Sequence, residues 1–423
     1  MTNIIEEVQL DYCDVMIKPK RSTLNSRSEP DIYRTYKMKH TNRVLYGNGL
    51  MVANMATTGT FAMAEVLAKN LMFTCLHKHY TYEEVKAFLE KHETDNIIFD
   101  YMGYEIITSF KDYVFVSTGI KDGDYEKICK ILDLGICKNL CIDIANGYIP
   151  KLLDFVKRIR EQYPDLIIMV GNVVTGDMVQ DIILAGADIV KVGIGPGANC
   201  TTRKQTGVGR PQLSAVIECA EAAHAVDGMI CADGGITCVG DINKAYGAGA
   251  DFVMVGSLVA GSDEADGEII EKMYRTNEYG YGIYEADDEE SYGALTDENG
   301  NPTKKGKLIT DSDCFTINNH HCLVLYKAHK PIYEIKKFKL AYGMSSKFAQ
   351  DKHWNGMAKY RASEGIVTLK PYSGSVQNTI DEYLGGLRSC MTYISARRLK
   401  DIPKCCTFYR ANRILNNDGK GIM

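Results

Sequence analysis

Residues 140–195 read LCIDIANGYIPKLLDFVKRIREQYPDLIIMVGNVVTGDMVQDIILAGADIVKVGIG, and this stretch decides the fold. It contains three short runs of apolar and β-branched residues, each followed by a corner rich in Gly, Asn or Asp. Amphipathic helical patterns connect each run to the next. Strands that are apolar at nearly every position are typical of parallel sheets, in which both faces are covered. The stretch therefore predicts consecutive strand–helix units with parallel strands.

The same rhythm continues towards both ends of the chain. The predicted strands span residues 50–55, 72–78, 113–119, 140–147, 166–173, 189–195, 229–235 and 251–258. Eight units in one series predict an α/β fold of the closed (β/α)8 TIM-barrel type. The alternative is an open doubly wound sheet, which usually carries a glycine fingerprint at its first turn. Here that turn reads ANMATTGTF, so we favour the barrel.

The composition changes after the eighth predicted strand. Residues 263–313 carry 15 Asp or Glu against five Lys or Arg, together with five Tyr. Residues 320–343 alternate apolar and polar positions like an antiparallel hairpin. Residues 287–306 read equally well as a solvated loop.

These changes divide the chain into three predicted parts. Residues 1–262 form the barrel core, and residues 263–340 form an acidic, tyrosine-rich insertion with the hairpin. Residues 341–423 form a flap and a C-terminal segment that complete the catalytic domain. We expect this last part to be helical apart from one loop at 360–376.

The charge balance is mildly acidic, with 49 Lys and Arg against 54 Asp and Glu. A net charge of −5 excludes a broad attraction to nucleic acid or to an anionic membrane as the main function. No apolar run approaches the ~20 residues that span a bilayer, and the N-terminus lacks the pattern of a secretory leader. The 14 cysteines are scattered without CxxC pairs, which favours reduced and mostly buried thiols. We therefore expect a cytoplasmic protein.

The carboxyl ends of barrel strands carry function, and the richest of these ends is GIGPGANCTTRKQTGVGR at residues 193–210. Its five glycines allow backbone amides to approach a ligand closely. They surround Cys200, which is followed by two Thr and by Arg203. Backbone amides and a neighbouring guanidinium both stabilise a thiolate, so Cys200 is predicted to be a nucleophile. The alternative is a filler thiol in a flexible loop.

The last two predicted strands end in glycine-rich corners, ADGG at 232–235 and GS at 256–257. Corners after the seventh and eighth strands of a barrel commonly hold a phosphate with backbone amides. Asp233 suits a pair of ribose hydroxyls, since its two oxygens accept both protons. Together with the Cys200 loop, these corners predict a nucleoside monophosphate site. Alone, they read equally well as simple turns.

Four motifs point to a known family: NMATTGTF at 54–61, GNVVTG at 171–176, CTTRKQTGVGRPQLSAV at 200–216 and YRASEG at 360–365, of which the last two together are specific. They resemble the IMP dehydrogenase/GMP reductase family, and the resemblance covers nearly the whole chain outside the insertion. It is closer to the reductase branch. The dehydrogenases usually carry two CBS modules after the second strand. Here we expect a single helix between the second and third strands. A dehydrogenase without these modules and a catalytically silent nucleotide sensor are the alternatives.

The resemblance implies NADPH-dependent reductive deamination of GMP to IMP and ammonia by a homotetramer. The reaction would pass through a covalent thioimidate on Cys200, with Thr202 and Glu364 relaying a proton to the departing amine. The positions that match GMP contacts are Asp233, Gly234, Gly235, Gly256, Ser257, Gly343, Met344, Ser345, Arg361, Ala362, Ser363 and Gly365. The positions that match NADPH contacts are Ser26, Arg27, Lys78, Asp143, Ile144, Ala145, Ile194 and Gly195. The positions that match a potassium (K+) site are Gly195, Gly197, Cys200 and Arg203.

The chain departs from the family pattern at four positions. Ala198 stands where the family has a serine that holds the phosphate, and Ser257 stands where it has a second glycine. We therefore expect the Ser257 hydroxyl to replace the missing phosphate donor. Ala56 replaces an acid and Arg210 replaces a tyrosine. The sequence assigns no consequence to either of these two changes.

Overall fold

A computed structural model of the chain describes residues 4–101, 104–281, 329–354, 356, 358, 360 and 362–411. Three features of the sequence prediction lie outside these residues: the loop at 287–306, the first part of the hairpin at 320–328, and the substrate contact Arg361.

Strands and helices alternate through most of the described chain. The strands are β1 (Val15–Ile17), β2 (Arg34–Lys37), β3 (Val44–Gly47), β4 (Leu50–Val52), β5 (Phe73–Leu76), β6 (Asn96–Tyr101), β7 (Tyr104–Ser109), β8 (Val114–Thr118), β9 (Asn139–Asp143), β10 (Ile167–Val173), β11 (Ile189–Val192), β12 (Met229–Asp233), β13 (Phe252–Val255), β14 (Ile269–Tyr281), β15 (His329–Tyr342), β16 (Val367–Pro371) and β17 (Phe408–Arg410). The α-helices are α1 (Phe61–Lys69), α2 (Tyr82–Lys91), α3 (Asp122–Leu132), α4 (Pro150–Gln162), α5 (Gly176–Leu184), α6 (Thr202–Thr206), α7 (Gln212–His224), α8 (Val239–Gly247), α9 (Lys347–Trp354), α10 (Val376–Ile394) and α11 (Ile402–Cys405).

Eight of these strands, β4, β5 and β8–β13, form a closed barrel. Neighbouring strands are parallel, and β13 pairs with β4 to close the ring. The predicted TIM barrel is therefore confirmed, with every predicted strand in place. All except β10 end earlier than predicted, and the residues beyond their ends belong to the loops.

The barrel is filled with apolar side chains, as its nearly continuous apolar strands require. Every residue of β4, β5, β8, β11 and β13 is buried. Aromatic rings pack at the amino-terminal end, where Phe73 and Phe252 are the first residues of their strands. The ring centroid of Phe252 lies 4.4 Å from that of Tyr36, and the centroid of Phe73 lies 5.3 Å from that of Tyr113. These contacts fix one end of the barrel and leave the other end for loops.

The expectation of a single helix between the second and third barrel strands is wrong. An antiparallel hairpin, β6 and β7, follows α2 there, and Ile98 lies opposite Ile107 in its register. Both isoleucines are more than half exposed. The hairpin was missed because its apolar residues do not all face a core, so its sequence lacks the uniform apolar character of the barrel strands.

The C-terminal segment is less helical than predicted. Residues 360–376 were expected to form a loop, but they contain the strand β16. A further short strand, β17, pairs antiparallel with β1 near the start of the chain. Ser375 caps the N-terminus of the long helix α10, and its hydroxyl accepts a hydrogen bond from the Gln377 amide. The pairing of β1 with β17 thus joins residues 15–17 to residues 408–410.

The chain divides into two compact units, one of residues 1–268 and 339–423 and the other of residues 269–338. The second unit contains β14 and most of β15, which are adjacent strands. In both units, the described helices include none that is long and apolar enough to cross a membrane. The 12 cysteines within the described residues are free thiols, and only five of them are fully buried.

Candidate active site

A cavity of about 750 Å³ opens at the carboxyl ends of the barrel strands. Its wall comes from the loops that follow the strands and from the segment after β15, all within the first unit. Residues that the sequence singled out at separate strand ends meet here, among them Lys78, Asp143, Cys200 and Asp233.

The Cys200 loop is held in place by the segment that precedes β16. The Thr201 amide donates to the Glu364 carbonyl at 3.0 Å, and the Ile366 amide donates to the Asn199 carbonyl at 3.0 Å. Cys200 and Gly365 form an isolated antiparallel bridge between these contacts. A short β-like pairing therefore fixes Glu364 beside the cysteine loop.

Cys200, Thr202 and Glu364 form a chain of contacts on the cavity wall. The sulfur of Cys200 lies 3.2 Å from Thr202 Oγ1, and that hydroxyl donates to Glu364 Oε2 at 2.6 Å. All three side chains line the cavity. A nucleophile, a hydroxyl and a carboxyl in sequence can form a covalent bond and move a proton at the same position.

Most predicted substrate contacts line the same cavity. They are Asp233, Gly234, Gly235, Gly256, Ser257, Gly343, Met344 and Ser345. Gly234 has a φ of +92°, and a Cβ there would lie 2.8 Å from Pro196 Cγ, so glycine lets two loops approach. Ala362, Ser363 and Gly365 do not line the cavity; they lie in the segment that holds the Cys200 loop, where the Ser363 hydroxyl donates to the Gly365 carbonyl.

The predicted cofactor contacts divide into two groups. Lys78, Asp143, Ile144, Ala145, Ile194 and Gly195 line the cavity. Ser26 and Arg27 do not, and they lie in an exposed N-terminal loop, where the Ser26 amide donates to Glu29 Oε1. The structure therefore brings the first group together and leaves the second apart from this cavity.

Three of the predicted cation ligands, Gly195, Gly197 and Cys200, line the cavity. The Gly197 carbonyl already accepts a hydrogen bond from the Cys200 amide at 3.0 Å. The Arg203 guanidinium is engaged elsewhere, by Asp11 at 3.1 Å and by the Arg210 carbonyl. Among the described residues, no cluster of His, Cys, Asp and Glu side chains is arranged to hold a metal ion.

Arg210 and Ala56, the two departures without an assigned consequence, make defined contacts. The Arg210 side chain forms an ion pair with Glu218 at 2.7 Å and donates to Gln9 Oε1, which joins the N-terminal segment to α7. Ala56 is buried against Tyr342, in a small apolar cluster at the end of β15. An acid at position 56 would place a charge in this cluster.

Sequence reasoning missed Lys191, which lies on β11 below the cavity. Its ammonium lies 2.6 Å from Asp143 Oδ1, 3.1 Å from Asn54 Oδ1 and 3.3 Å from Asp233 Oδ2. Asn172 also donates to Asp233 Oδ2, at 2.8 Å. The available signal was a lysine inside an otherwise apolar strand that ends at a predicted site.

Aromatic rings join the loop after β5 to α9 at the edge of the cavity. His79 stacks on His353 with centroids 4.1 Å apart, and it meets the edge of Trp354, which lines the cavity. His77 stacks on Tyr80 at 3.8 Å. Burial lowers the pKa of His77 to about 4 and that of His79 to about 3, and the neighbouring His353 acts in the same direction.

Comparisons with known proteins match nearly the whole chain to one family. The sequence profile of the IMP dehydrogenase/GMP reductase domain matches residues 9–307 and 327–417. The chain is 41% identical to GMP reductase of Ascaris suum over 418 residues, which cover 99% of this chain and 97% of that protein. It is 43% identical to GMP reductase of Shigella boydii over 419 residues, with 98% and 99% covered. Because these matches span nearly every residue, the chain belongs to the IMP dehydrogenase/GMP reductase family.

Proposed function

We propose that the protein catalyses the NADPH-dependent reductive deamination of GMP to IMP and ammonia. The observation that carries the proposal is the contact chain from Cys200 through Thr202 to Glu364 on the cavity wall. The similarity over full length to proteins named GMP reductase supports this substrate over other nucleotides.

The proposed reaction begins when the Cys200 thiolate attacks C2 of the guanine ring and forms a C–S bond. The amine on C2 takes a proton from Thr202, which Glu364 resupplies, and the C–N bond breaks to release ammonia. A hydroxyl alone is a poor acid, so the carboxyl at 2.6 Å is the partner that Thr202 requires. The thioimidate that remains on Cys200 is reduced at C2, the C–S bond then breaks, and its electron pair returns to sulfur as IMP leaves.

The remaining cavity residues suit a purine mononucleotide. In this proposal Asp233 accepts hydrogen bonds from the ribose hydroxyls, and the amides around Gly234, Gly235 and Gly256 hold the phosphate with the Ser257 hydroxyl. The segments around Gly343 and Arg361 line the GMP site, as the family resemblance implies.

The residues beside Asp143 fit a nicotinamide dinucleotide. Lys78 contributes a cation that suits phosphate, and Ile144, Ala145 and Ile194 contribute apolar surface for a flat ring. A reduced nicotinamide bound there supplies the hydride. The assignment of NADPH in particular, and of Ser26 and Arg27 as further contacts, rests on the resemblance.

We also propose a monovalent potassium site at the backbone of the Cys200 loop. Carbonyl oxygens of Gly195, Gly197 and Cys200 are the ligand type that a weakly charged ion takes. Arg203 would contribute only through its own carbonyl, because its guanidinium is bound to Asp11 and Arg210.

The proposal is tested by following the loss of NADPH absorbance when GMP is added. Turnover should disappear in Cys200→Ala and persist in Cys13→Ala, which removes an exposed thiol outside the cavity. Mass spectrometry of acid-quenched enzyme should find the nucleotide attached to Cys200. Reduction of NAD⁺ with IMP, without the GMP reaction, would instead select the dehydrogenase. Binding of GMP without any turnover would select the sensor.

For the assembly, we propose a cytoplasmic homotetramer in which the insertion at 263–340 contributes a subunit contact. Its tyrosines and alternating strand would gain from burial. Deletion of residues 274–307 should lower the oligomer mass measured by light scattering. An unchanged mass with unchanged kinetics would refute this role.

A further inference from the structure

We infer that Lys191 is a positioning residue that couples the cofactor half of the active site to its nucleotide half. The inference rests on the proposed function, because it assigns Asp143 to the cofactor and Asp233 to the nucleotide. It goes beyond the proposal by stating that one buried ammonium, that of Lys191, positions both carboxylates.

The geometry of Lys191 supports this role. Its side chain is only 2% exposed, whereas those of Asp143 and Asp233 are 30% and 22% exposed. The ammonium therefore lies beneath two carboxylates that keep surface at the cavity. Lysine has three N–H donors, and Asn54, Asp143 and Asp233 offer three acceptors within 3.3 Å. These acceptors come from the ends of three strands, or from the residues just after them, namely β4, β9 and β12.

The charges of this cluster depend on one another. Burial opposes the charged form of Lys191, but Asp143 and Asp233 outweigh it and raise the pKa of the lysine. Burial likewise opposes ionisation of Asp143, but Lys191 and Lys78 outweigh it and lower the pKa of the carboxyl. A buried charge that loses its partner is strongly destabilised. A change at either aspartate is therefore felt at Lys191 and, through it, at the other aspartate.

A second side chain, Asn172, also holds Asp233, but its side-chain nitrogen makes a different set of contacts. Asn172 donates to the same Asp233 oxygen as Lys191 and also to the Gly193 carbonyl, both at 2.8 Å. It holds Asp233 against the Cys200 loop, but the contacts of its side-chain nitrogen do not extend to Asp143. Lys191 is thus the described side chain that bonds to both carboxylates.

A double-mutant cycle on binding tests the inference without relying on turnover. Dissociation constants for GMP and for NADPH can be measured through the quenching of Trp354, the only tryptophan of the chain, which lines the cavity. Asp143→Asn should weaken GMP binding, although Asp143 is assigned to the cofactor. In the Lys191→Met background the same change should have no further effect on GMP. Residues that share a partner typically show couplings of about threefold to a hundredfold.

The pH profile separates positioning from a merely structural role. In Lys191→Met, Asp143 loses the cation that favours its ionised form. The acidic limb of the pH profile, where NADPH affinity falls as the solution is acidified, should therefore move to higher pH. Lys39→Met is the control, because this lysine donates to the Val226 carbonyl away from the cavity. It should leave both dissociation constants and the limb unchanged.

Two outcomes would overturn the inference. One is an equal effect of Asp143→Asn on GMP binding with and without Lys191. The other is an acidic limb that stays in place in Lys191→Met. If Lys191→Met fails to fold, Asp143→Asn and Asp233→Asn decide the matter: each should weaken the ligand of the opposite half, and an effect limited to its own half would refute the coupling. If wild-type enzyme binds both ligands but does not turn over GMP, the proposed function fails while this test still stands.

Discussion

Thr202 and Glu364 are 162 residues apart in the sequence, yet the Thr202 hydroxyl donates to Glu364 Oε2 at 2.6 Å. The contact exists because the segment before β16 pairs with the cysteine loop through backbone hydrogen bonds. The insertion between β13 and β16 therefore does not interrupt the active site, since the chain returns to complete it.

This contact gives the first prediction. Glu364→Gln keeps the shape of the side chain but removes its acidic proton, so proton delivery to the departing amine should fail. We expect kcat for GMP reduction to fall by about 10²–10⁴-fold, with little change in the KM for GMP. Steady-state kinetics measure both constants. Glu382→Gln, an exposed change on α10, should leave them unchanged, and normal kcat in Glu364→Gln would remove the relay from the mechanism.

The close approach of the two segments gives the second prediction. A Cβ on Gly343 would lie 2.6 Å from the Asn199 carbonyl oxygen, next to Cys200. Gly343→Ala should therefore push the cysteine loop away from Glu364 and lower kcat by about 100-fold, since misplacements of about 1 Å have effects of this size.

Gly385→Ala is its matched control. Gly385 lies inside α10, and a Cβ there would meet no atom within 4 Å. Alanine is a better helix former than glycine by about 1 kcal/mol. This variant should raise the melting temperature slightly and keep full activity. Full activity in Gly343→Ala would show that the loop tolerates the displacement.

How much of this site follows from the sequence depends on the residue. Cys200 and Asp233 were predicted because they lie at or beyond the carboxyl ends of predicted barrel strands, and barrel topology brings such ends to one face. Lys191 was not, because a lysine in a strand normally predicts a solvent-facing position. Only the folded barrel shows that Asp143 and Asp233, from strands distant in sequence, make its burial possible.

The hairpin of β6 and β7 illustrates the opposite limit. The partial exposure of its isoleucines means that burial does not determine its pattern, so periodicity alone could not distinguish it from a loop. The strands of the barrel were predictable because both of their faces are buried. The hairpin was not, because its two faces differ in their exposure to solvent.

The third prediction concerns the phosphate. Ser257 and Ala198 both line the cavity, so either position can present a hydroxyl to it. Ser257→Ala should raise the KM for GMP about tenfold or more, because hydrogen bonds to charged groups contribute about 1.5–3 kcal/mol. Adding Ala198→Ser to that variant should recover most of the affinity by restoring a hydroxyl to the cavity wall. An unchanged KM in Ser257→Ala would contradict the assignment of the Ser257 hydroxyl as a phosphate donor.

The last prediction concerns the histidine stack at the edge of the cavity. The pKa of His79 is about 3 in the folded protein because of burial and the nearby His353, Lys78 and Lys127, against about 6.5 in an unfolded chain. Between these values the unfolded state binds more protons, so the stack loses stability as pH falls below about 6.5. Melting temperatures of wild type should therefore drop more between pH 7 and pH 5 than those of His79→Gln.

His224 provides a control of opposite sign. Its Nε2–H donates a hydrogen bond to Asp251 Oδ2 at 2.9 Å, and this bond raises the pKa of the imidazole above its usual value. The stability that it contributes is fully present below about pH 6.5 and is lost as pH rises through the folded pKa. His224→Gln should consequently remove stability at pH 5 more than at pH 8, the reverse of His79→Gln. Identical pH responses in the two variants would mean that the neutral stack of His79 and His353 does not contribute to acid sensitivity.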